Sequence, residues 1–418
     1  MLLIMGLLLI SYEIISKKRV ITAVTVWTVC YMAIFLLTPY LLEEEDPIVK
    51  RISNISFVIY ILSVFFIDFL RNIQSKNIKI KQGAFFRTKL NAKQIDSFST
   101  VLLFFSIFFL SVSLLGSGFS ISQIISYSAR ENIENGSTAK LLFGFFSRAV
   151  TVFCVWSFIS NDVKFTKANR RNFLSMILVL LIFGFTRISI VTSVAMIVLY
   201  WIKEKRIGIQ IVFSSTCVVV LIIFMIVMLF VRVYGLQTGL QVLAGQELNV
   251  EFIKTRLAYD LDFTYLYLAF KEEIANAPGA MVTALCYLKP IFVMIPRSLW
   301  SGKPESLNVE IYKYLHPNAA GIYSTGYSIL GEAYAILGNA GFIIYPLVWG
   351  ILCAIMDGYF DQLIKKNRCN ELGGLVYAIF SVELVIEGMR GNIQQAIMSM
   401  MFPMLMTCIA TKKIKISR

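Results

Sequence analysis

The chain has 418 residues, of which 57% are hydrophobic and only 15% are charged, and its mean hydropathy is +0.73. A soluble protein carries about 25% charged residues, so this composition excludes an ordinary soluble protein and indicates an integral membrane protein. The net charge of +14 does not indicate nucleic-acid binding, because the basic residues stand in short clusters between apolar segments.

Apolar runs recur along the whole chain and predict an all-α protein with about 11 transmembrane helices. A helix rises about 1.5 Å per residue, so about 20 residues cross a hydrocarbon core of about 30 Å. We expect residues 1–418 to form a single polytopic membrane domain. The predicted spans are 1–15, 20–42, 53–70, 97–118, 141–159, 172–186, 188–202, 207–231, 341–357, 372–388 and 393–411.

The loops between these spans alternate in charge, which predicts the side of the membrane that each loop faces. With the N-terminus outside, the cytoplasmic loops and tail hold 24 of the 39 Lys and Arg residues. The first outer loop, Glu43-Glu44-Glu45-Asp46, is acidic. Because cytoplasmic loops are enriched in Lys and Arg, residues 232–339 are predicted to form one large loop on the periplasmic or extracellular side.

Two arginines stand where this topology disfavours a positive charge. Arg187 lies at the tip of a tight hairpin between two short apolar runs, and Arg390 follows Glu383 and Glu387 at the end of a span. Each side chain has a structural interpretation, as a headgroup contact for Arg187 and an ion pair for Arg390. Each also has a functional one, as a fixed cation that binds an anionic substrate.

The large outer loop contains further candidates for substrate binding. Residues 249–277 place charged and aromatic side chains at helical spacing, with Arg256 and Asp260 four residues apart, and Pro278-Gly279 is predicted to end this helix. Residues 280–295 are apolar but interrupted by Lys289-Pro290, which predicts a re-entrant or interfacial segment. Arg297 and Lys303 then flank Trp300, so the turn combines donors for a phosphate with an ordinary interfacial anchor.

The cysteine and histidine content gives no metal signature. None of the seven cysteines forms a C-x-x-C pair, and His316 is the single histidine. We therefore expect no metal site, no disulfide framework and no cofactor.

Several short motifs, most of them in the second half of the chain, occur in an order that resembles the Wzy-type oligosaccharide repeat-unit polymerases of O-antigen and capsule synthesis. A short hairpin carries Phe185-Thr186-Arg187, and a large outer loop follows two spans later. That loop holds I-P-R-x-x-W-x-x-K-P from Ile295 to Pro304. Then come Gly326-Tyr327-Ser328-Ile329-Leu330-Gly331-Glu332-Ala333-Tyr334, Leu337-Gly338-Asn339-Ala340-Gly341 and Arg390-Gly391-Asn392. The similarity in architecture covers most of the chain.

The resemblance implies a metal-independent glycosyltransferase with a GT-C-like helical fold in the bacterial cytoplasmic (inner) membrane. Its donor and acceptor would be undecaprenyl-pyrophosphate-linked oligosaccharides, polymerised into O-antigen or capsular polysaccharide at the outer face. A chain-length regulator protein would be a further partner, beside the membrane lipids.

The chemistry of this reaction suggests a role for each candidate residue. A departing pyrophosphate develops negative charge that cations must stabilise in the absence of a metal, and a sugar hydroxyl needs a general base. Glu332 is the first choice for the base, His316 the second and Asp260 the third. The candidate cations for pyrophosphate are Arg187, Arg256, Arg297, Lys303 and Arg390.

Two alternative functions stay open. An O-antigen ligase has the same architecture and donor but transfers the glycan to a lipid A core. A lipid-linked oligosaccharide flippase or other transporter commonly shows repeated halves, and this chain has no internal repeat.

Overall fold

The computed structural model describes residues 2–43, 46–73, 91–116, 138–183, 187–234, 241, 244–245, 263–277, 279–292, 299–300, 302–318, 326–391 and 393–416. Throughout these ranges the chain forms helices joined by turns and short loops, with no strand. The predicted all-α fold class is confirmed for this part of the chain.

The chain divides into two compact units, each made of separate stretches of sequence. Unit 1 comprises Met1–Lys81, Lys254–Gln362 and Ile379–Met398. Unit 2 comprises Gln82–Ile253, Leu363–Ala378 and Ser399–Arg418. The prediction of one membrane domain over residues 1–418 stays a prediction.

Unit 1 contains the first helices of the chain and most of those in its second half. One π-helical turn, Ala33–Leu37, lies between the helices Ala23–Met32 and Thr38–Leu42, and a second one, Ile379–Leu384, precedes the helix Val385–Met389. A 3-10 turn, Ala284–Leu288, leads into α11. The helices are α1 (Leu2–Lys17), α2 (Ala23–Met32), α3 (Thr38–Leu42), α4 (Pro47–Ile73), α10 (Phe263–Asn276), α11 (Lys289–Phe292), α12 (Leu307–Leu315), α13 (Ser328–Leu337), α14 (Gly341–Lys365) and α16 (Val385–Met389).

Unit 2 contains the central helices of the chain. The last three residues of α14 belong to it, and α17 starts in unit 1 and continues in unit 2 from Ser399. The helices of unit 2 are α5 (Ala92–Gly116), α6 (Thr138–Ser160), α7 (Lys167–Phe183), α8 (Arg187–Ile202), α9 (Ile207–Tyr234), α15 (Leu372–Ala378) and the greater part of α17 (Ile393–Ile416).

Seven helical segments of the described chain are long and apolar enough to cross a membrane, which confirms a multi-pass membrane protein. Two shorter apolar helices, Ser189–Ile202 and Met400–Thr411, lie at other predicted spans. The predicted number of 11 spans stays a prediction. The seven segments are Ala23–Leu42, Pro47–Ile73, Ala92–Leu115, Leu142–Ser160, Ile207–Phe224, Ser328–Lys365 and Leu372–Met389.

An aromatic stack forms the centre of the core of unit 1. The ring of Trp27 on α2 lies 3.6 Å from that of Tyr60 on α4, centroid to centroid, and 4.8 Å from that of Tyr31. The hydroxyl of Tyr31 donates to the carbonyl oxygen of Ser53 at 2.8 Å, which satisfies the polar end of a buried side chain. These contacts hold α2 against α4.

Buried polar side chains join the helices of unit 2. Asp96 on α5 accepts hydrogen bonds from Ser157 at 2.6 Å and from Thr166 at 2.5 Å. Asn172 on α7 donates to Ser99 at 3.1 Å and to Thr100 at 2.8 Å. Because a polar group that is buried without a hydrogen bond is costly, these bonds fix how α5, α6 and α7 pack.

Candidate functional site

Glu332 lies in the middle of α13, a short apolar helix of unit 1, and its exposed fraction is 0%. The helix ends at Gly338, which has a φ of +58°, a value that glycine adopts more readily than other residues. A buried carboxyl group requires hydrogen-bond donors.

Two groups from distant parts of the sequence donate to the carboxylate of Glu332. The hydroxyl of Tyr287, in the 3-10 turn, makes a short hydrogen bond to Oε1 and also contacts the hydroxyl of Tyr345 on α14. The backbone N–H of Ile393, in the first turn of α17, is the other donor. Oε2 has no hydrogen-bond partner within the described ranges, so this oxygen retains capacity to accept a proton.

The environment of Tyr287 keeps this residue in the role of donor. Burial raises the pKa of Tyr287 well above its usual value, and the neighbouring Glu332 and Tyr345 raise it further. The phenol therefore keeps its proton, which it shares with Oε1. The positive end of the α17 dipole also favours a negative charge at this point.

Two of the motifs on which the family resemblance rests, Gly326–Tyr334 and Arg390-Gly391, are in contact at the start of α13. A side chain at Gly326 would overlap the carbonyl oxygen of Arg390 and would lie 2.7 Å from Leu266. Gly391 has a φ of +70°, and a Cβ atom there would lie 2.5 Å from the carbonyl oxygen of Ser328. The turn at Arg390-Gly391 therefore packs on the segment that leads to Glu332, and both contacts require glycine.

Arg390 takes part in an ion pair next to this turn. Its guanidinium lies 3.3 Å from Glu387 Oε1. The exposed fraction of the Arg390 side chain is 25%, whereas that of Glu387 is 7%. The predicted ion pair of Arg390 with a nearby acid is thus confirmed for Glu387.

Gln394 connects the first turn of α17 to two segments of the predicted outer loop. Its Oε1 accepts from the backbone N–H of Leu307 at 3.0 Å, and its Nε2 donates to the carbonyl oxygen of Cys286. Leu307 begins α12, four residues after Lys303. Ile393 donates to Glu332, and the next residue, Gln394, binds the segment that follows Lys303. The first turn of α17 therefore contacts both Glu332 and this segment.

His316, the second choice for the base, has partners of its own. Its Nε2 lies 3.5 Å from Glu272 Oε1 on α10, and its ring lies 4.6 Å from that of Tyr312. The exposed fraction of its side chain is 35%. In the described part of the chain, His316 is therefore paired with Glu272 and not with Glu332.

The remaining predicted site residues are described only in part. Lys303 is half-buried, and its backbone N–H donates to the carbonyl oxygen of Trp300 at 3.2 Å. The backbone of Arg187 begins α8, but its side chain is outside the description. Asp260, Arg256 and Arg297 lie outside the described residues, so their roles as base and as pyrophosphate cations stay predictions.

A second fully buried carboxyl group adjoins α13. Glu273 on α10 has an exposed fraction of 0%, and neither oxygen has a hydrogen-bond partner among the described residues. A Cβ atom at Gly331 would lie 2.6 Å from Glu273 Oε2, so the carboxyl group lies directly against the backbone beside Glu332. Burial raises the pKa of Glu273 well above its ordinary value, which favours the protonated acid at neutral pH.

Sequence reasoning missed Tyr287, Gln394 and Glu273 because the groups that they contact are distant in the chain. It also missed Arg148, a buried arginine on α6 whose Nη2 donates to Thr192 on α8 at 3.0 Å. Arg148 carried an available signal, because an ionisable residue within an apolar span usually has a function.

Metal ligands do not cluster in the described residues: no group of three or more His, Cys, Asp or Glu side chains there could hold a metal ion. Comparisons with models of protein families, with curated proteins and with solved structures found no match.

Proposed function

We propose that this protein is a membrane glycosyltransferase that polymerises undecaprenyl-pyrophosphate-linked oligosaccharide repeat units into O-antigen or capsular polysaccharide. The observation that best supports the proposal is the contact, next to Glu332, between two motifs on which the family resemblance rests. The segment Gly326–Glu332 and the turn at Arg390-Gly391 are 58 or more residues apart in the chain, yet they pack together beside this buried carboxylate.

In the proposed reaction, Glu332 Oε2 takes the proton of an acceptor sugar hydroxyl. The hydroxyl oxygen forms a bond to the anomeric carbon of the donor, and the bond from that carbon to the pyrophosphate oxygen breaks. The lipid pyrophosphate leaves with the electron pair, and its charge requires cations. Arg390 and Lys303 are described candidates for this role, with Arg187, Arg256 and Arg297 as the others.

The buried position of Glu332 has a mechanistic consequence. Since its exposed fraction is 0%, the side chains that cover Oε2 must move when the acceptor enters. Closure of the site around the bound substrates would then exclude water, which otherwise competes with the sugar hydroxyl for the donor.

The proposed enzyme has a GT-C-like arrangement of 11 spans in the bacterial cytoplasmic membrane, with Glu332 near the outer surface. We expect Leu299→Cys to react with a membrane-impermeant thiol reagent in intact cells, and Ile73→Cys to react only after permeabilisation. Leu299 is 80% exposed and Ile73 is 64% exposed, so accessibility depends on the side of the membrane. The unsubstituted protein, with its seven buried or half-buried thiols, gives the background. Labelling of Leu299→Cys only from the inside would contradict this orientation.

Polymerisation by the purified protein tests the activity itself. In liposomes that contain undecaprenyl-pyrophosphate-linked repeat units, we expect a ladder of longer lipid-linked glycans on a gel. The ladder should persist in EDTA, because the proposed mechanism uses arginine and lysine side chains to stabilise the pyrophosphate. Loss of the ladder in EDTA with recovery in Mg²⁺ or Mn²⁺ would contradict that mechanism, and absence of any ladder would contradict the polymerase.

The same assay separates the alternatives. An O-antigen ligase would extend a lipid A core acceptor and leave lipid-linked repeat units unpolymerised. A transporter would move the lipid-linked oligosaccharide across the bilayer without forming a glycosidic bond. The observation that favours a transporter as the second candidate is the buried carboxyl group of Glu13 in α1. Carboxyl groups within the membrane-spanning part of transporters often carry protons.

A further inference from the structure

Charged side chains from α1, from the loop after it, and from α4 and α14 meet in unit 1 and form what we name the α1–α4–α14 cluster. Asp68 on α4 accepts from Lys17 at 3.1 Å and from Arg71 at 3.2 Å. Asp361 on α14 lies 2.5 Å from Arg19, and its other oxygen lies 3.8 Å from Lys17 and 3.7 Å from Arg71. Each of the three cations therefore has a carboxylate partner in this cluster.

A third carboxylate of the cluster, Asp357, stabilises the start of a helix. Its two oxygens accept from the backbone N–H groups of Ala23 at 2.8 Å and Val24 at 3.1 Å, at the first turn of α2. Backbone donors and the positive end of the helix dipole favour the ionised form of a carboxyl group. Asp357 is therefore a negative charge with dedicated partners.

Glu13 on α1 is the remaining acid of the cluster, and its position differs from that of the other three. It is 1% exposed, and neither of its oxygens has a hydrogen-bond partner among the described residues. Several titratable groups face Glu13. They are Tyr12 and Lys17 on α1, Arg19 in the loop after α1, Tyr60 and Asp68 on α4, and Cys353 and Asp357 on α14.

Among the described residues that form the cluster, the charges balance only when Glu13 is neutral. The three cations Lys17, Arg19 and Arg71 are matched by the three carboxylates Asp68, Asp357 and Asp361. A fourth negative charge would be uncompensated in a buried place, beside Asp357 and Asp68. An uncompensated buried charge is so unfavourable that the group takes up a proton instead.

We propose that Glu13 is a proton-binding site, occupied at neutral pH and vacated only when the protein is made alkaline. The site is distinct from Glu332, and it does not depend on the proposed glycosyltransferase activity. A proton suits it better than a metal cation, which requires several oxygen ligands without hydrogen-bond donors. Here the oxygens of Asp357 already bind two N–H groups, and three cations stand nearby.

The test is the thermal stability of the full-length protein in detergent as a function of pH. Folded protein that retains a proton on Glu13 binds one more proton than unfolded protein, so its stability must fall as the pH rises. Glu13→Gln keeps the size and removes the titration. We expect its melting temperature to equal that of the unsubstituted protein near pH 4, where Glu13 is protonated in both states, and to exceed it by a margin that grows with pH to roughly 3 °C near pH 9.

Asp68→Asn is the matched control, because it makes the same change at an acid that pairs with two cations. It should lower the melting temperature at both pH values. A Glu13→Gln protein that is equally less stable at both pH values would overturn the proposal, since Glu13 would then be ionised and paired. If Glu13→Gln and Glu13→Met both fail to fold, the proposal is also overturned, because a neutral side chain of this size must be tolerated. Stabilisation of the unsubstituted protein, but not of Glu13→Gln, by Na⁺ over choline would instead assign a cation site.

Discussion

Glu332→Gln should lower the turnover number of polymerisation by roughly 10²–10⁴-fold, the range expected for loss of a general base. The amide keeps the size of the side chain and can still accept from Tyr287, but it cannot take a proton from a sugar hydroxyl. Donor binding should be largely preserved, so the effect should fall on kcat and leave KM nearly unchanged. Initial rates in liposomes over a range of donor concentrations measure both.

Glu273→Gln is the matched control for this prediction. It makes the same change at another fully buried carboxyl group that adjoins the same helix, so a loss of activity caused by a disturbed α13 should appear in both variants. We expect Glu273→Gln to keep most of its activity. His316→Ala should also retain partial activity, because His316 is paired with Glu272. An inactive His316→Ala beside an active Glu332→Gln would transfer the role of base to His316.

Gly391→Ala should destabilise the protein by about 3 kcal/mol, which combines a left-handed backbone with a steric overlap. Gly391 has a φ of +70°, and the new Cβ atom would lie 2.5 Å from the carbonyl oxygen of Ser328. The turn at Arg390-Gly391 would have to move away from the start of α13. Denaturant titration of the purified protein measures the free energy of unfolding.

Gly208→Ala provides the comparison for Gly391→Ala. Gly208 lies in α9, and a Cβ atom there would meet nothing within 4 Å. Alanine favours a helix over glycine by about 1 kcal/mol, so this variant should be as stable as the unsubstituted protein or slightly more stable. Equal losses in the two variants would show that the packing of Gly391 on Ser328 contributes nothing particular.

The sequence predicted the helical elements well where an apolar run is long. The run at 53–70 lies inside α4, which begins at Pro47 and ends at Ile73, because a helix continues past the hydrocarbon core while its polar ends reach water. The predicted interfacial segment 280–295 contains only a 3-10 turn and the four-residue α11 in its described part. The π-helical turns were not predictable, since one extra residue in a turn leaves no clear mark on an apolar sequence.

The candidate site was less predictable, because its contacts join residues that are distant in the chain. Glu332 was found from its place in a sequence word, but its donor Tyr287 lies 45 residues earlier and its other donor is a backbone group. Glu13 was not predicted as a site, because the acids near it come from α4 and α14, which are distant from α1 in the chain. A single sequence records the types of these residues but not their pairing.

The position of Gln394 has a consequence for how the protein is made. Leu307 and Cys286 leave the ribosome long before Gln394, yet Gln394 is their hydrogen-bond partner. The start of α12 and the 3-10 turn that carries Tyr287 therefore cannot reach their final packing while only the preceding helices have been synthesised. A helix that follows all of these segments in the chain completes the surroundings of Glu332, so nascent chains that end before residue 393 would lack this arrangement.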